Sequence, residues 1–113
     1  MYSNTLTASA LALLSTLAAP ADAYWRMGCP GTLLEGRLDP VVNPGAVSGH
    51  THVILGGNGF AANMDYASTQ ASTCTSCSID GDFSNYWAPK LYYAAQDGTF
   101  TSVDVSGGTV YYQ

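Results

Sequence analysis

Glycine and proline punctuate this chain too often for any long element to form. Pro30-Gly31, Pro40 and Pro44-Gly45 break residues 24 to 49 into ordered loop with room only for short extended pieces such as Thr32 to Leu38. Farther on, Asn58-Gly59, Gln96-Asp97-Gly98 and Ser106-Gly107-Gly108 each offer the residue types that reverse a chain. What lies between them is rich in Val, Ile, Thr, Tyr and Trp, the side chains that pack well on a pleated surface. The expected fold is mainly β, an antiparallel sheet or sandwich joined by long Gly/Pro-rich loops.

The strand candidates follow from that punctuation. His50 to Leu55 reads as one, with a tight hairpin turn at Asn58-Gly59, because that dipeptide takes both positive φ values a two-residue turn demands. Residues 60 to 77 mix Ala with Ser and Thr and support at most a short helix. From Lys90 onward, "KLYYAA", "TFTSVDV" and "TVYYQ" read as three strands of a β-meander.

The N-terminal run "ASALALLSTLAAPADA" ends in Ala21-Asp22-Ala23, a small-x-small site, so residues 1–23 are expected to be a cleaved secretion signal. The run is too short to span a membrane and no later stretch is long enough, so no membrane span is expected. Residues 24–113 then suffice for one small core. Eight acidic residues against three basic ones, Arg26, Arg37 and Lys90, give a formal net charge of −5 and leave no basic patch for nucleic acid. Abundant Tyr, Ser, Thr, Gly and Asn suit an extracellular, hydroxyl-rich surface, for which polysaccharide is a natural partner, although secreted proteins in general share this composition.

Three cysteines, Cys29, Cys74 and Cys77, are an odd number for an oxidising compartment. The expectation is structural: Cys29 bonds one member of the Cys74/Cys77 pair. Zinc would need a second C-x-x-C that the chain lacks.

Two other motifs are set aside. "GNGFAA" matches G-x-G-x-x-A formally, but no strand-helix alternation surrounds it to build a dinucleotide fold. Asp80, Asp82 and Ser84 have the alternate spacing of a calcium loop, yet Leu91 stands where a bidentate Glu belongs, leaving an Asx turn as the simpler reading.

The only histidines, His50 and His52, stand one residue apart. On a strand, side chains two apart point the same way, so the two imidazoles would share a face. They are candidates for acid, base or divalent-metal ligand, with Asp39 or Asp82 to orient them, or else they fill a hydrogen-bonded polar corner. Around Pro89, Tyr86, Trp87 and Tyr92 form an aromatic cluster suited either to stacking on sugar rings or to core filling.

The order of these segments carries a resemblance. "RLDPVVNPG" (Arg37 to Gly45), "SGHTH" (Ser48 to His52), "CTSC" and "DFSNYWAPKLY" (Asp82 to Tyr92) are similar to motifs of the fungal secreted family called domain of unknown function nineteen ninety-six. The resemblance covers nearly all of residues 24–113. Its members look like secreted proteins, some joined to cell-wall-associated carbohydrate-binding modules of the WSC type. It implies a larger domain, of which this chain would be the N-terminal part, with the third cysteine paired beyond it. It also implies that Arg37, Asp39, His50, His52, Asp82 and Ser84 belong to one site, beside which Arg37, Tyr86, Trp87 and Tyr92 are candidates to contact substrate. Two functions fit: an extracellular enzyme acting on cell-wall polysaccharide through His-x-His, or a non-catalytic polysaccharide-binding module with structural histidines.

Overall fold

The computed structural model describes residues 24–112. The expected secretion signal lies outside the described residues. Among the described residues, seven short strands and one short helix follow in the order β1 (Trp25–Cys29), β2 (Leu34–Gly36), β3 (His52–Gly56), α1 (Tyr66–Gln70), β4 (Asn85–Pro89), β5 (Tyr92–Ala94), β6 (Phe100–Ser102) and β7 (Gly108–Tyr112). All strand pairs are antiparallel, in three sheets: β1-β7, β2-β3-β4 and β5-β6. The chain is thus mainly β, as its punctuation predicts. No helix among the described residues is long and apolar enough to cross a membrane.

β3 is the centre of the three-stranded sheet. It is paired on both sides, and His52, Val53, Ile54 and Gly56 are all buried, so it reads as a nearly unbroken apolar run rather than an alternating one. β1 does alternate: Met27 and Cys29 point inward while Arg26 and Gly28 stay exposed. The inward pair joins Cys77 in a small cluster that Leu55, Tyr86 and Val110 pack against. Cys29 is disulfide-bonded to Cys77, and Cys74 is an exposed free thiol. Lys90 Nζ, buried just beyond β4, donates to Glu35 Oε1 on β2 at 2.7 Å and closes one end of the three-stranded sheet.

Two expected connections differ. Asn58-Gly59 forms no two-residue hairpin; neither residue has a positive φ, and β3 pairs with β4 only after an excursion through α1 and the Cys74–Cys77 loop. The Asn58 side chain explains the change. Its Oδ1 accepts from Thr73 N and Cys74 N, and its Nδ2 donates to Thr73 Oγ1, so it ties down the returning loop instead of turning back locally. Nor do the last three strands make a meander. β5 and β6 form a hairpin whose turn carries Gly98 at φ +84, but β7 leaves them to pair with β1, because Ser106-Gly107-Gly108 extends rather than reverses the chain.

Candidate functional site

β3 starts at His52, so the two histidines do not share a strand. His50 lies in the bend before it, exposed, whereas His52 is 4% exposed. Their rings nevertheless meet, centroids 4.5 Å apart and edge to face. His52 Nδ1 lies 2.8 Å from the Leu38 carbonyl oxygen. A carbonyl only accepts, so Nδ1 carries the proton and Nε2 of the neutral ring is left as an acceptor.

The segment leading to that carbonyl is held from both sides. Arg37 Nε donates to Ser48 O at 2.8 Å and its Nη2 to Gly49 O at 3.4 Å, while Ser48 N donates to Arg37 O at 3.0 Å. Arg37 therefore braces the loop that presents His50. Asp39 is nearly buried, and its Oδ1 accepts from Val42 N at 2.9 Å and Val41 N at 3.0 Å. The Val42 bond leads in holding its carboxyl below the usual carboxylate range; burial opposes it, and the Val41 bond, neighbouring His52 and the Trp87 side chain add to the lowering. Asp39, His50 and His52 thus gather at one end of the β3-β4 pair, and Trp87, opposite Ile54 at its middle, reaches Asp39 with its side chain.

Asp82 belongs to the other end. β4 runs antiparallel to β3, placing Pro89 opposite His52 and Asn85 opposite Gly56, so the residues before Asn85 lie far along the sheet from the histidines. Asp82 Oδ1 accepts from Ser84 N at 3.0 Å, the expected Asx turn, and its Oδ2 accepts from the Tyr86 hydroxyl at 3.0 Å. Burial works to raise this carboxyl, but the bonds from Ser84 and Tyr86 outweigh it and the net direction is down. Tyr86 also meets the Tyr112 hydroxyl, and Tyr112 stacks on Trp25 with ring centroids 4.5 Å apart and planes 4° from parallel. Burial first, then Tyr112 and Asp82, push the Tyr86 phenol well above the ordinary tyrosine range. Tyr92 is exposed on the β5-β6 ribbon and joins neither cluster.

Between the two ends lie two adjoining hollows of about 200 and 480 Å³. Trp87 and Pro40 line the first, Asp82 and Ser84 the second, and Tyr66, Thr69 and Asn85 line both. The sequence reading missed Tyr66 and Asn85. The available signal was Asp65-x-x-Ser68, a capping box that starts α1 and turns Tyr66 outward. A larger hollow of about 550 Å³ beside the disulfide, lined by residues such as Gly28, Ser78 and Ser106, holds no ionisable side chain.

Among the described residues no three His, Cys, Asp or Glu side chains gather as metal ligands do. The pair His50 and His52 offers two ligands, and a resident metal would need a third. Acid-base chemistry would need only the pair as it stands, an exposed imidazole beside a buried one whose Nδ1 faces a carbonyl.

Residues 39–113 match the family described as Domain of unknown function (DUF1996). No curated protein and no solved structure matches the chain.

Proposed function

The chain belongs to the DUF1996 family, and on that premise we propose that it is an extracellular, carbohydrate-active protein in which His50 transfers protons at a cell-wall polysaccharide. The observation that carries this reading is the histidine pair. His50 is free to meet a ligand, and its ring packs against His52, whose Nδ1 is fixed by the Leu38 carbonyl. Reacting groups profit from such placement because a positioned acid or base contributes roughly 10²- to 10⁴-fold to a rate. The signal-like N-terminal run and the Cys29–Cys77 disulfide support an oxidising, extracellular setting.

Burial of His52 favours a second reading, a non-catalytic polysaccharide-binding module. A histidine 4% exposed with one nitrogen engaged is well suited to a purely structural task. The two readings part on His50. Whole protein incubated with chitin, β-glucan or mannan is expected to release reducing ends from one of them, and His50→Ala is expected to cut that rate by about 100-fold or more without shifting the melting temperature. His52→Ala should instead lower stability by about 1–3 kcal/mol, because it orphans a carbonyl and opens a buried site. Retained polysaccharide binding with no release by either protein establishes the module and removes the enzyme.

A further inference from the structure

The two hollows that meet at Tyr66, Thr69 and Asn85 form one trough along α1, from Trp87, Pro40 and Val41 at one end to Asp82 and Ser84 at the other. The second, about 480 Å³, lies within the roughly 300–1,000 Å³ of a small-molecule site, and the first, about 200 Å³, extends it. An elongated trough of this kind suits several linked rings better than one.

Its lining has the chemistry of a neutral polyol site. Tyr66 is 78% exposed and Trp87 lies on the floor, offering ring faces for the apolar faces of sugars. Between them, Asn85 Nδ2 donates to Gly57 O at 2.6 Å, which fixes the amide orientation, because the opposite flip would set two oxygens together. Asn85 Oδ1 accordingly faces away from that bond, buried and without a donor from the described residues. Buried as it is, that oxygen lies out of a ligand's reach, and the polar groups the trough offers are the exposed Gln70 amide and the Ser84 hydroxyl.

Charge selects against acidic ligands. Asp65 and Asp82 line the trough, both held below the usual carboxylate range, Asp65 chiefly by its bonds from Ser68 and Asp82 by the bonds described above. No Lys, Arg or His lines either hollow. Lys90 is committed to Glu35, and Arg37 to the Ser48 and Gly49 carbonyls.

We propose that this trough binds a strand of neutral, linear polysaccharide along α1, with Tyr66 and Trp87 stacking on its rings, the Gln70 amide and Ser84 hydroxyl meeting its hydroxyls, and Pro40 and Val41 closing the end that follows Asp39. The proposal rests on the saccharide reading above and adds where the chain lies and what charge it carries.

Calorimetric titration of the whole protein with laminarihexaose, cellohexaose, N-acetylchitohexaose and mannohexaose, and with hexagalacturonate as the anionic arm, tests it. At least one neutral hexaose is expected to bind, more tightly than its disaccharide and than hexagalacturonate. Tyr66→Ala removes an exposed ring at little cost to the fold and is expected to weaken that binding about tenfold, the size of one aromatic contact. Tyr66→Trp should restore it. A hexaose that binds wild type and Tyr66→Ala alike overturns the trough while leaving the saccharide reading in place. Hexagalacturonate binding as tightly as the neutral sugars overturns the charge selection, and binding of no sugar at all overturns the reading on which the proposal rests.

Discussion

Tyr86 has a hydroxyl committed in two directions: it donates to Asp82 Oδ2 and meets the Tyr112 hydroxyl. Burial disfavours its phenolate first, the bonds to Tyr112 and Asp82 hold the proton further, and the Asp82 charge adds a smaller repulsion, which is why its titration moves up. Above the ordinary tyrosine value of about 10, the unfolded chain gives up this proton while the folded chain keeps it. The resulting stability is therefore whole below pH about 10 and drains away as pH rises through the folded value. Urea unfolding at pH 8 should show Tyr86→Phe less stable than wild type by about 1 kcal/mol, the net worth of one hydrogen bond. By pH 11.5 the gap should have narrowed, and a gap that widens with pH would contradict the assignment. At this scale the sequence was partly legible. Spacing brought His50 and His52 together, although through a bend and not a shared strand. Tyr112 was illegible as Tyr86's partner, because only the pairing of β1 with β7 returns it to that place.

Gly56 ends β3 with φ +100, and a Cβ there would fall on the Ser84 carbonyl oxygen at the turn into β4. No L side chain fits both the conformation and the space. Gly56→Ala should destabilise by about 3 kcal/mol or more, combining backbone strain with overpacking. Gly49→Ala, where nothing lies within 4 Å of an added Cβ, should stay within about 0.5 kcal/mol. Chemical denaturation of both variants checks the contrast, and equal losses would show that the β3-β4 junction is not the constraint. Elements whose signals are local were readable: the Asp97-Gly98 turn, with Thr99 N and Oγ1 bonded to Asp97 Oδ1, needs only its own residues. β4 was obscured by Pro89, which a central strand would not tolerate. Here the proline closes an edge strand, paired with β3 on one side only. Asn58-Gly59 misled because a side chain with a better long-range partner overrode its local turn preference.

At the scale of the molecule, extensive packing between elements is confined, among the described residues, to strands paired in one sheet. What joins the β1-β7 sheet to the β2-β3-β4 sheet is the cluster of Met27, Cys29, Cys77, Leu55, Tyr86 and Val110, with the Cys29–Cys77 bond at its centre. The buried apolar side chains are few, while large ones such as Tyr24, Val41, Leu91, Tyr93 and Phe100 remain exposed. A core this small leaves little reserve against chain entropy, so the cross-link carries an unusual share of the stability. Its bonded cysteines are 48 positions apart, and closing such a loop removes about 4 kcal/mol of unfolded-chain freedom in the chain-entropy account, with about 2–4 kcal/mol commonly realised. Cys29→Ala/Cys77→Ala should therefore lose most or all of its cooperative unfolding transition, whereas Cys74→Ala, altering an exposed thiol, should stay within about 0.5 kcal/mol of wild type. Near-ultraviolet circular dichroism follows the loss directly, because Trp25, stacked on Tyr112 across β1 and β7, reports whether that sheet still holds. A double variant that keeps both the wild-type midpoint and the aromatic signal would mean that the Met27–Leu55–Val110 contacts join the sheets unaided.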